Sequence, residues 1–108
     1  MHWFYLLIAI ICEVCGTTSM KLSNGFANLL PSVLIFVFYA LSFTFVTLAL
    51  KTLPVGLTYA IWSALGTALI TAIGVLWFGE GMNTLKLVSL LLIILGVAGL
   101  QFSQQHLK

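Results

Sequence analysis

Three stretches of this chain carry no charge, and each is long enough to cross a bilayer: Lys21 to Lys51, Lys51 to Glu80, and Lys86 to Lys108. A membrane helix needs about 20 apolar residues. The stretch from Trp3 to Met20 also has the length, but it holds Glu13. The charged residues are Glu13, Lys21, Lys51, Glu80, Lys86 and Lys108, with no arginine. That is 6% of the chain, against about 25% in an average soluble domain. A soluble fold of 108 residues could not cover so much apolar surface with so few charges. The expected fold is therefore all-α and integral to the membrane. Four transmembrane helices use roughly 80 residues and leave only short loops and two short ends. A single four-helix membrane domain spans residues 1–108, with no room for a soluble domain.

Breakers place the helices at about residues 3–20, 31–50, 56–78 and 84–102. Ser23-Asn24-Gly25 interrupts the first connection, and Pro31 suits the opening position of the second helix, where its missing N–H costs nothing. Lys51-Thr52-Leu53-Pro54 makes the next turn. Gly79-Glu80-Gly81 stops the third helix, and Asn83 or Thr84 can cap the fourth. Short turns make neighbouring helices antiparallel and bring both chain ends to one side. Lys51 and Lys108 then fall on the terminal side, and Lys21 and Lys86 on the other. Two against two gives the positive-inside rule nothing to act on. Either the counts are too small to matter, or the chain inserts both ways and pairs as an antiparallel homodimer.

The beginning of the chain is not expected to be a secretory signal, because it lacks a basic region and holds an acid in its apolar core. Cys12 and Cys15 read as small apolar fillers within a membrane helix rather than a redox or metal pair. His2 and His106 lie at opposite ends and read as solvated. No metal site is expected.

Glu13 carries the chemistry. It lies about 15 Å along the helix from Trp3, near the midplane of a roughly 30 Å hydrocarbon core. Ionisable groups there are costly and face a cavity or a partner. With no arginine, and every lysine near a helix end, Glu13 has no evident permanent counter-ion. A packing role against a neighbouring helix is the plain alternative. The functional reading is that a proton or a cationic substrate neutralises it, each excluding the other. Such competition can couple opposed fluxes.

Leu6, Ala9, Ile10, Gly16, Thr17 and Met20 share the Glu13 face by helical spacing. Ala9, Gly16 and Thr17 are small and leave space beside the acid. The Thr17 hydroxyl can reach the carboxylate or return to its own helix. On the third helix Tyr59, Trp62, Ser63 and Gly66 share a face. Aromatic faces attract cations, although Tyr59 also suits an interfacial anchor. Tyr39 and Ser42 on the second helix can add polar handles. On the fourth helix, Ser89 and Gly96 stand one heptad apart with Gly99 nearby. Small residues so spaced let membrane helices approach closely, so this helix reads as the dimer interface.

The chain resembles the small multidrug resistance transporters from end to end. The resemblance rests on Glu13-Val14-Cys15-Gly16-Thr17-Thr18-Ser19-Met20-Lys21, Ser23-Asn24-Gly25-Phe26, Pro31-Ser32, Leu53-Pro54-Val55-Gly56 and Tyr59-Ala60-Ile61-Trp62-Ser63. It implies an antiparallel, dual-topology homodimer in a bacterial inner membrane. It also implies proton-coupled export of lipophilic and quaternary ammonium cations, with Glu13 as the shared proton and substrate site. Tyr59 and Trp62 would line the pocket, with Thr17, Ser42 and Tyr39 as weaker transfers. Trp3 and Tyr5 would stand near a portal. A guanidinium-exporting branch resembles the chain too, but typically has Trp-Ala at Gly16-Thr17 and Trp-Thr at Trp62-Ser63. Gly16 is expected to leave room for a bulky ligand. The chain differs from many members at Ala64-Leu65-Gly66, where Gly-x-Gly is common, and at Ser89, where glycine is common.

The leading expectation is a cation/proton antiporter, not an enzyme. Its partners would be lipophilic organic cations, protons, the lipid bilayer and a second copy of itself. It needs no cofactor beyond the proton as coupling ion, and no nucleic acid. A guanidinium or other small-cation exporter on the same scaffold is the first alternative. A non-transporting accessory subunit of a heterodimer is the second.

Overall fold

The computed structural model describes residues 2–106. The reading of Lys108 as a terminal-side charge lies outside them, as does that of the His106 side chain. Four helices follow in order: α1 (His2–Leu22), α2 (Leu29–Ala49), α3 (Val55–Leu76) and α4 (Thr84–His106). There is no strand among the described residues. All four helices are long and apolar enough to cross a membrane. At about 1.5 Å per residue, the shortest of them spans about 31 Å.

The chain divides into two compact units, residues 1–53 and 54–108. The first is the α1–α2 hairpin, in which the two helices pack closely along their length. Its turn is built by hydrogen bonds. Ser23, nearly fully buried, donates its hydroxyl to the Met20 carbonyl at 2.8 Å and accepts from the Phe26 N–H at 3.2 Å. Asn24, Gly25 and Phe26 all take positive φ, which costs a non-glycine residue energy and falls here on one glycine, one asparagine and one phenylalanine. Asn28 donates its side-chain amide to the Leu22 carbonyl at 2.9 Å, tying the start of α2 to the end of α1. α2 begins at Leu29, two residues before the expected start. Pro31 thus sits third in the helix instead of first, still within the turn whose N–H groups have no intrahelical partner.

The second unit is the α3–α4 hairpin. Pro54, with extended backbone, precedes α3, and its carbonyl accepts from the Thr58 N–H at 3.0 Å. α3 ends at Leu76, two residues short of the expected Phe78. The reason lies in the Gly74 carbonyl, which accepts from the N–H groups of both Phe78 (3.2 Å) and Glu80 (3.0 Å). Gly79, at φ +69°, turns the chain so that the second bond can form. Of the two expected caps for α4, Asn83 is the one used. Its Oδ1 accepts from the Lys86 N–H at 2.8 Å. α3 runs unbroken through Ala64-Leu65-Gly66, with Ala64 and Gly66 buried. On α4, Leu90, Val97, Gln101 and Gln104 form a half-buried stripe. The other residues of this helix from Thr84 to Ser103 are exposed.

Candidate functional site

Glu13 lies about 16 Å along the axis from His2 and about 14 Å from Leu22. It is the only acid within the four spans among the described residues. The residue is half-buried, and its Oε2 is buried with no hydrogen-bond partner. A carboxylate oxygen so placed is costly unless a proton or cation meets it. No group of three or more His, Cys, Asp or Glu residues able to hold a metal occurs among the described residues.

Leu6, Ala9 and Ile10 are almost wholly buried, and Gly16 is buried too. The room beside Gly16 is not open, however. A Cβ at this position would stand 2.8 Å from Cδ2 and Cε2 of Tyr39 and 3.4 Å from Cβ of Phe38. The space that the sequence assigns to a bulky ligand is filled by the Tyr39 ring. The missing side chain lets α1 and α2 approach, and the approach brings Tyr39 across.

Thr17 takes the second of its two expected roles. Its hydroxyl donates to the Glu13 main-chain carbonyl at 3.0 Å, not to the carboxylate. With that proton committed, Thr17 Oγ1 accepts from the Tyr39 hydroxyl at 2.5 Å. Tyr39 is thereby fixed at both ring and hydroxyl. Ser42 is fully buried and donates to the Ala9 carbonyl at 2.7 Å, a bond across the hairpin. It joins two membrane helices and is not a free handle. Interhelical bonds of this kind contribute about 0.6 kcal/mol on average and about 1.7 at most. Ser42→Ala is therefore expected to lower the stability of the protein in detergent or bilayer by an amount in that range. Thermal unfolding followed by circular dichroism measures it, and a loss well above it would mean that Ser42 holds more than Ala9.

Cys12 and Cys15 are free thiols, each half-buried. Trp3 is exposed, while Tyr5 stacks on Phe45 with ring centroids 6.0 Å apart. The second unit carries the aromatic pair. Tyr59 and Trp62 meet edge to face, with centroids 6.0 Å apart and planes at 62°. Tyr59 is largely exposed, Trp62 half-buried and Ser63 exposed. Each ring can offer a face to a cation. On α4, Ser89, Gly96 and Gly99 are exposed, and a Cβ at either glycine would meet nothing within 4 Å. Ser89 also lines a cleft within the second unit, together with Thr67, Thr71, Glu80, Asn83 and Lys86. This cleft has no counterpart in the sequence reading. Its one signal is the pair Thr67 and Thr71, four residues apart in the otherwise apolar part of α3 that follows Ser63.

Four apolar spans, with one half-buried acid midway along the first, define a multi-pass membrane protein with a single intramembrane carboxylate at its candidate centre. The chain belongs to the Small Multidrug Resistance protein family, whose model matches residues 1–93. It is 49% identical to the uncharacterized membrane protein YvaE of Bacillus subtilis, covering 93% of the chain and 84% of the relative. It is 43% identical to the quaternary ammonium compound-resistance protein QacE of Escherichia coli, covering 88% and 86% respectively. It is 39% identical to the quaternary ammonium compound-resistance protein QacG of a Staphylococcus strain, over 98% of the chain and all of the relative.

Proposed function

We propose that this protein is a proton-coupled antiporter that exports lipophilic and quaternary ammonium cations across the bacterial inner membrane. The observation that carries the reading is Glu13: a carboxylate at mid-span, one oxygen buried, with no hydrogen-bond partner for it. Family membership and the names of QacE and QacG support the substrate class. Glu13 binds either a proton or a cation. Tyr59 and Trp62 supply ring faces that attract the cation. The carrier is no enzyme and uses no cofactor beyond the proton.

The working unit in this reading is an antiparallel, dual-topology homodimer, each chain a single membrane domain. The open face of Ser89, Gly96 and Gly99 supports pairing along α4. Alternating access then exposes the paired Glu13 residues to one side at a time.

One observation favours the small-cation alternative. The Tyr39 ring over Gly16 takes the room that a bulky ligand would use. Proteoliposomes with an acidic lumen separate the readings. Labelled quaternary ammonium is expected to accumulate in proportion to the pH gradient, and guanidinium is not expected to compete. Accumulation of guanidinium alone would assign the small-cation branch. Accumulation of neither would assign an accessory subunit.

A further inference from the structure

The cleft between α3 and α4 is an open groove with a volume of about 560 Å³. Its chemistry changes with depth. At the mouth stand Glu80, Asn83 and Lys86; inside are Thr67, Thr71 and Ser89, with the apolar Leu85, Leu90 and Ile93. Trp77 and Phe78, the two residues that follow α3, stack with centroids 5.7 Å apart. Aromatic residues at a span's end mark headgroup level. Thr71 lies about 8 Å and Thr67 about 13 Å inward from Leu76 along α3. Ser89 lies about 8 Å inward from Thr84 along α4, level with Thr71. The cleft therefore runs from headgroup level into the hydrocarbon.

Two features of the mouth call for a ligand of both charges. The Glu80 carboxylate folds against Gly74, where a Cβ would stand 2.5 Å from Oε1 and 2.9 Å from Cδ. This puts a negative group at the C-terminal end of α3, the end of a helix that favours cations. Lys86 is held the other way, its Nζ donating to the Gly81 carbonyl at 2.6 Å. An ammonium has three donors, so two remain.

We propose that this cleft binds a zwitterionic phospholipid with a primary ammonium headgroup, that is, phosphatidylethanolamine. The headgroup ammonium sits on Glu80 and the phosphate on Lys86 at the start of α4. The ester carbonyls meet the Thr71 and Ser89 hydroxyls, and an acyl chain follows Leu90 and Ile93. A primary ammonium donates hydrogen bonds to the carboxylate, which choline cannot. Phosphatidylglycerol brings no cation to Glu80. None of these residues belongs to the Glu13 site, although the transport reading also places one of them, Ser89, on the pairing face of α4.

The test is lipid retention by the full-length protein, purified after exchange into equimolar phosphatidylethanolamine, phosphatidylcholine and phosphatidylglycerol, and read by native mass spectrometry. Wild type is expected to retain phosphatidylethanolamine over each of the others by about 2- to 5-fold, the effect of one partly screened ion pair. Lys86→Gln is expected to weaken retention of all three lipids, which share the phosphate, and Glu80→Gln is expected to erase the preference. So is Gly74→Ala, which alters no charge but displaces the Glu80 carboxylate. Circular dichroism confirms that the variants keep their helices. Equal retention of the three lipids by wild type would overturn the proposal, as would a preference that survives Glu80→Gln. Displacement of the lipid by micromolar glycerophosphoethanolamine, which has no tails, would also overturn it, because the ligand would then be a soluble zwitterion.

Discussion

Glu13→Gln is expected to abolish proton-driven uptake of quaternary ammonium while leaving the helices and their packing intact. Glutamine keeps the shape of the side chain but can neither exchange a proton nor hold a charge opposite a cation. Removing one member of a buried ion pair costs about 2–5 kcal/mol, which weakens cation binding from roughly 30-fold to more than a thousandfold. Transport driven by the gradient should fall further than binding, because coupling is lost as well as affinity. Glu13→Asp keeps both properties with the carboxylate drawn back toward α1, and is expected to retain coupled uptake at a reduced rate. The measurement pairs equilibrium binding of a labelled cation in detergent with uptake into proteoliposomes. If Glu13→Gln transports as well as wild type, the buried Oε2 is a packing feature and the carrier mechanism is wrong.

Gly16→Trp is expected to be the most disruptive change available in the first hairpin. Even an alanine Cβ would meet the Tyr39 ring at 2.8 Å, so a small overpacking loss of about 1–3 kcal/mol applies to Gly16→Ala. Tryptophan demands far more volume. It must expel Tyr39, break its bond to Thr17 and part α1 from α2 near the Ser42–Ala9 link. The expected result is loss of the folded protein or a stability loss above about 3 kcal/mol. Gly16→Ala combined with Tyr39→Ala should recover most of the alanine loss, giving a coupling of about 0.5–3 kcal/mol in a double-mutant cycle. Additive losses would show that the ring does not press on Gly16.

These two sites differ in how far the sequence disclosed them. Glu13 was legible because one charge among apolar residues is a signal in a single position. The four spans were legible for the same reason, since the lysines and Glu80 punctuate them. Gly16 was legible as a small residue, but what fills its space was not. That depends on the register of α2 against α1, and helical periodicity within one span says nothing of register between two. Thr17 shows the same limit. Its hydroxyl could serve either oxygen of Glu13, main chain or side chain, and only the folded helix shows which. The helix ends at Leu29 and Leu76 fell two residues from expectation because the deciding bonds are not local. Asn28 reaches back to Leu22, and the Gly74 carbonyl collects two donors from beyond the helix end. The cleft over α3 and α4 was hidden for a related reason. Glu80 reads as part of a turn until the positive φ at Gly79 folds its carboxylate onto Gly74.

The division of the chain at residues 53 and 54 bears on how such a protein is made. Each half is a helical hairpin with its own tight connection, and each returns its chain to the side from which it entered. A hairpin of that kind is a self-contained cargo for the insertion machinery. A gene cut within the Lys51-Thr52-Leu53 connection should therefore yield two polypeptides that enter the membrane independently, without either serving as leader for the other.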